Sequence, residues 1–459
     1  MNHLGIEVSV KNVPELDPGF LPLARFNRAF LVGADKPLEV AVERSNGQIA
    51  VWNIKVHSDP ALAGANEYFV ERVIKTMLWM YGGFRVYLTD EELAEKMRGH
   101  YSATGRQAFD WDYMANVFEH PFEIVACDRV PEVNGGAKAI GRHLGGCRIG
   151  FDAGGSDRKV SAVIDGEPVF SEEVVWFPKT NSDPDYHYDG IVSALKSAAA
   201  HMPRVDAVGV SSAGVYIDNR TMNASLFLQV PKDLFEAKVK DIYIRAITDT
   251  FGDIPYVVAN DGDVSALAGA MDLGENNVLG IAMGTSEAAG YVDDQGRITG
   301  WLNELAFVPV DASPDAVRDE WSGDIGCGVK YFSQDAVIKL APAAGIELDP
   351  ALSPAEKLKA VQDLLAGGSE AAEKIYRSIG VYLGHSLALY HGFYDFNYVQ
   401  LQGRVMSGRG GDIILDTAKA VLADEYLEVA RAIDVFLPDE KARRVGQSVA
   451  AASLPELPR

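Results

Sequence analysis

From Cys147 to Val405 the chain alternates short apolar runs with amphipathic stretches, and the apolar runs repeatedly end in glycine, hydroxyl or acidic residues. That rhythm is the strongest constraint on the fold. A strand closed by a tight turn pairs with its successor, whereas a strand followed by a helix must cross over, so the mixture predicts an α/β architecture. CRIGFDAGG reads as a strand entering a glycine turn, and KVSAVIDGEPVFSEEVVWF continues as strands joined at Asp165-Gly166. The helix IVSALKSAAAHM (191–202) leads to the strand VDAVGVSSAG, and the helix LFEAKVKDIYIRAITDTFG (234–252) leads to PYVVAND and helical VSALAGAMDLG. Strands NVLGIAMGT and AAGYVDDQGRI follow, then the helices AEKLKAVQDLLAG and SEAAEKIYRSIGVYLGHSLALYHGFY, then the strand YVQLQGRV. Two consecutive α/β units are expected.

A chain of 459 residues exceeds what one core usually serves. The glycine-rich stretch EVNGGAKAIGRHLGGC (132–147) divides it. Ahead of that stretch, ANEYFVERVIKTMLWMYG (65–82) has helical spacing and stops at Gly82-Gly83, FRVYLT alternates like a strand, and LAEKMRGHY returns to helix. The expected organisation is an α+β region over 1–145, a first lobe over 146–262 completed by a C-terminal helix over 425–455, and a second lobe over 263–424.

Charge narrows the function. A net charge of −23 repels a phosphodiester backbone, and residues 1–145 carry more acidic than basic side chains, against a DNA-binding head; no nucleic-acid partner is expected. Cys127, Cys147 and Cys327 are too few and too scattered for a disulfide framework. The first residues, MNHLGIEVSVKN, do not resemble a secretory leader, and no apolar run approaches the ~20 residues of a membrane span, so a cytoplasmic protein with no membrane partner is expected.

Three turns carry candidate chemistry. In FDAGGSDRK, Gly154 and Gly155 let backbone amides approach a phosphate, Ser156 adds a hydroxyl, and Asp152 could hold Mg²⁺ through water; a plain β-turn explains the same residues. IAMGTSEAAGY repeats the pattern with Gly284 and Thr285, or is an ordinary hairpin. YVVANDGD ends an apolar strand in Asn260, Asp261 and Asp263, where an α/β sheet commonly places its site. There Asp263 is expected to cap the next helix and Asp261 to face substrate.

In their order along residues 147–420 these segments resemble the ROK family (repressors, open reading frames and kinases) of the actin–hexokinase–Hsp70 superfamily. DAGGSDRK is similar to the family's first phosphate motif, MGTSEAAGY to the second, and YVQLQGRVMSGRGG to the nucleotide-side strand and turn, with Gly403 at the bend. VGVSSAGVYIDNRTMN resembles the segment ending in a sugar-binding Asn, here Asn223. The resemblance implies a two-lobed actin-like (ribonuclease H-like) fold and ATP with Mg²⁺. It also implies Asp261 as general base, Asn223, Asn260 and Glu304 as sugar ligands, and Gly154, Gly155, Ser156, Gly284, Thr285 and Gly403 around ATP. The expected partners are a small-molecule sugar or polyol substrate and a second copy of the chain in a homodimer.

The chain also departs from the family. Where the family has Gly-Glu-x-Gly-His, this sequence reads NELAF, which keeps Glu304 and puts Phe307 in the His position. The segment SGDIGCGVKYFSQDAV retains only Cys327 of the zinc cluster, so no zinc is expected, and Val329 stands where a second sugar-binding Glu belongs. Ser286, Ala288 and Ala289 make the second phosphate loop poorer in glycine. These changes keep open a catalytically weakened sugar-binding or ligand-sensing protein on the same scaffold. The aromatic residues Phe109, Trp111, Tyr113 and Phe118 are expected in a core, and the nine histidines on the surface or in packing.

Overall fold

Alternating apolar side chains in KPLEVAVER and QIAVWNIKV form two long strands, Lys36–Arg44 (β1) and Gln48–Val56 (β2), paired antiparallel across a turn in which Asn46 takes φ 62°. Helix Ala63–Met80 (α1) follows, then strand Arg85–Leu88 (β3), helices Glu91–His100 (α2) and Ala108–Phe118 (α3), and strand Glu123–Ala126 (β4). The sheet order is β2-β1-β3-β4. Every residue of α1 from Phe69 to Met80 is buried, including Glu71, Arg72 and Lys75, so this helix must find partners for its charges inside the protein.

The computed structural model describes residues 1–135, 140–438 and 446–458. It contains two compact units: Met1–Gly136 with Ile281–Ala288 and Leu302–Leu437, and Ala137–Gly280 with Ala289–Trp301 and Pro438–Arg459.

In the second unit, strands Cys147–Ala153 (β5), Asp157–Ile164 (β6) and Glu167–Val175 (β7) form a meander. Helix Pro184–Ala199 (α4) crosses over to Ala207–Ser212 (β8), which lies parallel to β5. The hairpin Val215–Ile217 (β9) and Arg220–Asn223 (β10) turns at Asp218 and Asn219, both at positive φ, the geometry that a right-twisted two-residue hairpin requires. Helix Ile242–Phe251 (α5) leads to Tyr256–Asn260 (β11), parallel to β8, and to helix Asp261–Leu273 (α6). The five-stranded order is β11-β8-β5-β6-β7, with its core built from Ile149, Phe151, Val208, Val210, Ile191, Leu195 and Ile247. The helix expected over 234–252 is interrupted: Phe235–Val239 forms a π turn, and regular helix resumes only at Ile242.

Strands Val278–Met283 (β12) and Glu287–Val292 (β13) come next, then helix Glu370–Tyr390 (α7), strand Tyr398–Gln402 (β14), helix Arg409–Glu425 (α8) and strand Asp434–Phe436 (β15). They give the sheet order β13-β12-β14-β15. A single helix over 425–455 is not what forms. A short helix Leu427–Ala432, the strand β15 and a separate helix Gly446–Ala452 (α9) occupy its described residues, while 439–445 lie outside them. Helix α9 rests directly on the five-stranded sheet. A Cβ added at Gly150 of β5 or Gly209 of β8 would strike the carbonyls of Ser448 or Ala451, so both positions need glycine. Among the described residues, no helix is long and apolar enough to cross a membrane.

Candidate active site

The parallel strands of the second unit end in register. Ser211 of β8 is aligned with Asp152 of β5 and Ala259 of β11, and Ser212 is aligned with Ala153 and Asn260. One sheet edge therefore presents Asp152, Ser211, Asn260 and Asp261, the edge where α/β sheets place their sites. Ser211 donates to Asp152 Oδ1 at 2.9 Å, and Gln447 of α9 donates to the Ser211 hydroxyl at 3.1 Å. Gln447 Nε2 also lies 3.4 Å from both Asp152 Oδ1 and the Asp261 carbonyl. Burial pushes Asp152 up to about 6, the Ser211 hydrogen bond works against that rise, and nearby Asp261 adds to it. Burial raises Asp261 as well, opposed by the Gly262 amide and the Lys179 ammonium.

Asn260, not Asp263, caps α6. Its Oδ1 accepts from Gly262 N at 2.7 Å, and its Nδ2 donates to Gly214 O at 2.7 Å. Asp263 is buried instead, accepting from Tyr291 N at 3.3 Å. The expectation failed because Asn and Asp cap equally well, and the helix starts at Asp261, ahead of the apolar pattern that opens at Val264. Gly214 leads into Val215, whose cross-strand partner is Asn223, so the candidate sugar ligands Asn223 and Asn260 approach the same strand end. The first glycine turn bridges β5 and β6. Trp176 holds both of its carbonyls, Nε1 to Gly154 O at 2.7 Å and N to Ser156 O at 3.1 Å, and the Ser156 hydroxyl is exposed.

The first unit gathers the second set. Gly403 sits at φ 100°, and a Cβ there would run into the backbone of Met283, so the turn after β14 lies against the end of β12. Gly284, Thr285 and Gly403 are thereby brought together, with Thr285 and Ser286 exposed. Glu304 is pinned by α1: Glu304 N donates to Trp79 O at 2.9 Å, and Asn303 N donates to Met80 O at 3.0 Å. Phe307 packs against Trp79 at 4.3 Å and Phe109 at 5.7 Å between ring centroids. Beside Glu304 lies Glu287, the first residue of β13, buried with neither carboxyl oxygen hydrogen-bonded. Burial, with Glu304 adding to it, holds Glu287 well above the usual carboxylate range.

The segment where the family places zinc is held by ion pairs from the N-terminal helices. Asp324 meets Arg72 at 2.9 Å, Lys75 at 3.5 Å and Arg106 at 3.1 Å, and Lys75 meets Asp110 at 2.7 Å. Gln107 bridges Glu71 at 2.6 Å and Asp324 at 3.1 Å. Burial pushes the Cys327 thiol up to about 12. Among the described residues, no group of three or more His, Cys, Asp and Glu side chains is arranged to hold a metal ion.

Sequence reasoning missed Ser211, Gln447, Lys179 and Glu287. Ser211 and Gln447 lie far from Asp152 in sequence and meet it only through strand register and the C-terminal helix, and Lys179 reaches the first glycine turn only from the Pro178–Thr180 turn. Glu287 did leave a signal, a lone acid opening an otherwise apolar strand.

No protein-family model and no curated protein matches the chain. Solved structures do. A ROK hexokinase from Thermus thermophilus is 19% identical over 67% of this chain and 96% of its own, with a TM-score of 0.52. A ROK family glucokinase from Streptomyces griseus, in complex with glucose and AMPPNP, is 21% identical over 67% and 98%, with a TM-score of 0.48. A ROK family transcriptional regulator, a homologue of the E. coli MLC protein, is 18% identical over 68% and 79%, with a TM-score of 0.46. The Thermus likeness shows the fold: over 67% of its length the chain is folded like that hexokinase, the expected actin-like architecture.

Proposed function

We propose that the protein is a ROK-type kinase that transfers a phosphoryl group from ATP to a hydroxyl of a sugar or polyol. The reading is carried by the register that sets Asp152 and Asp261 on one sheet edge, each with a raised carboxyl pKa. Such a carboxylate is a competent proton acceptor near neutral pH. Asp261 takes the acceptor hydroxyl proton as that oxygen bonds to the γ-phosphorus and the bond to ADP breaks. Asp152 keeps Oδ1 within the Ser211 and Gln447 network, while its Oδ2 has no hydrogen bond among the described residues, which suits a water of hydrated Mg²⁺. The cation would neutralise phosphate charge. Gly154, Gly155 and Ser156, and in the other unit Gly284, Thr285 and Gly403, are assigned to ATP.

Asn223, Asn260 and Glu304 are assigned to substrate hydroxyls, and Phe307 with Val329 to an apolar wall. A wall that cannot hydrogen-bond favours a deoxy, acylated or otherwise less hydroxylated ring edge, so glucose should be a poor substrate. ADP release measured across a panel of sugars and polyols tests the reading. At least one acceptor should stimulate release, and stimulation by none would refute it. A second reading, sugar binding without turnover, is favoured by Ser286, Ala288 and Ala289 in the second loop and by the Asn260 carboxamide being engaged at both ends. It predicts sugar binding with no acceptor-stimulated ADP release.

A further inference from the structure

Lys179 belongs to none of the motifs, yet its side chain stands against the first glycine turn of the second unit. The turn Pro178–Thr180 that carries it is tightly held. His187, fully buried, puts a ring nitrogen 3.0 Å from Pro178 O, and Phe177 N donates to the Tyr186 hydroxyl at 2.9 Å. The side chain then crosses to the first glycine turn, where a Cβ added at Gly155 would lie 2.9 Å from the Lys179 ammonium. Neighbouring carboxyls have other partners: Asp157 pairs with Lys159 at 3.6 Å, and Asp152 sits in the Ser211 and Gln447 network. Among the described residues, Lys179 Nζ has no hydrogen bond and no ion pair, although its charge is felt at Asp261. A lone ammonium against a glycine turn whose amides could face a phosphate is placed for an anion that arrives with the substrate.

We propose that Lys179 is a further catalytic residue, whose ammonium binds the transferring phosphoryl group beside the Gly154–Gly155 turn. This rests on the kinase reading. There the lysine neutralises charge on the phosphoryl oxygens while Asp261 receives the hydroxyl proton, and it neither gives nor takes a proton itself. Lysine suits the task as a compact, mobile point charge that can follow the group in transfer.

The test is calorimetric titration of ATP, pyrophosphate and AMP into wild-type protein, Lys179→Met and Lys179→Arg, with kcat measured on the best acceptor. Lys179→Met should weaken ATP and pyrophosphate binding by roughly 10-fold or more, the scale of one charge-assisted hydrogen bond. It should leave AMP, which lacks the outer phosphates, unchanged. Its kcat should fall by roughly 10²–10³-fold, and Lys179→Arg should recover much of both losses. The side chain is exposed and unpaired, so the melting temperature should not move. ATP affinity and kcat in Lys179→Met within about twofold of wild type would overturn the proposal, as would an equal loss of AMP binding. Wild-type protein that binds ATP but phosphorylates no acceptor would end the kinase reading, while the affinity ratio would still decide whether Lys179 holds phosphate.

Discussion

Each unit gathers a cluster of carboxyl groups, buried in the first and half-buried in the second, and the clusters are held in opposite ways. In the first unit, burial opposes ionisation of Asp324, but Arg72, Lys75 and Arg106 surround it and hold its carboxyl well below the usual range. In the second unit, Asp152 and Asp261 are desolvated with hydroxyl and amide partners and, among the described residues, no ion pair; Lys159 and Lys179 act on them only weakly, so both rise. A buried acid matched by cations is held as part of the structure. A buried acid left unmatched keeps a free energy that ligand binding or proton transfer can release. The comparison separates scaffold from chemistry, and it implies that mutations in the two clusters change different observables.

The largest effect should fall on turnover. Asp261→Asn should lower kcat by roughly 10²–10⁴-fold with sugar affinity nearly unchanged, because the amide keeps the shape and loses the base. Near-full turnover in this variant would erase the distinction between the clusters. Next comes stability. Arg72→Met should destabilise the protein by about 3–5 kcal/mol in urea unfolding, since Glu71 and Asp324 would be left as buried, poorly matched charges. A loss below about 1 kcal/mol would show the network to be ornamental.

The third effect has the opposite sign. Asp152→Asn should stabilise the protein above pH 6 by on the order of 1–3 kcal/mol while weakening Mg²⁺-dependent ATP binding. A carboxyl raised to about 6 when folded, against about 3.9 unfolded, binds its proton more tightly in the native state. Its stabilisation is present at low pH and lost as pH rises through about 6. Asp324 is held below its unfolded value, so its contribution is present above about pH 4 and lost as pH falls further. Mg²⁺-dependent ATP affinity should accordingly drop as pH is lowered through about 6, and a midpoint near 4 would place Asp152 among the ordinary carboxylates. The smallest effect concerns metal. Elemental analysis should find well under about one zinc per chain, and chelation should leave the unfolding curve unmoved, because ion pairs from Arg72 and Lys75 of α1 and from Arg106 hold the segment around Cys327. Stoichiometric zinc would contradict that account.

Local pattern carried much of the fold. The meander at Asp165-Gly166, the strand into Asn260-Asp261 and the turn at Gly403 were all legible, because glycine and acid at the end of an apolar run have few structural explanations. What was not legible depends on distant packing. Nothing near Gln447 reveals that α9 lies on β5 and β8, and nothing in α1 shows that Arg72 and Lys75 reach Asp324. The cap on α6 was misassigned for a local reason, since Asn260, Asp261 and Asp263 could each serve and backbone geometry chose Asn260.

Product analysis tests the central claim most directly. Wild-type protein and Asp261→Asn would be incubated with ATP, Mg²⁺ and the acceptor that most stimulates ADP release, and the acceptor examined by mass spectrometry and ³¹P NMR. The account predicts one phosphoryl group on an acceptor hydroxyl, equimolar with ADP, from wild type and at least about a hundredfold less from Asp261→Asn. ADP formed without a phosphorylated acceptor, or an equal yield from the two proteins, would contradict it.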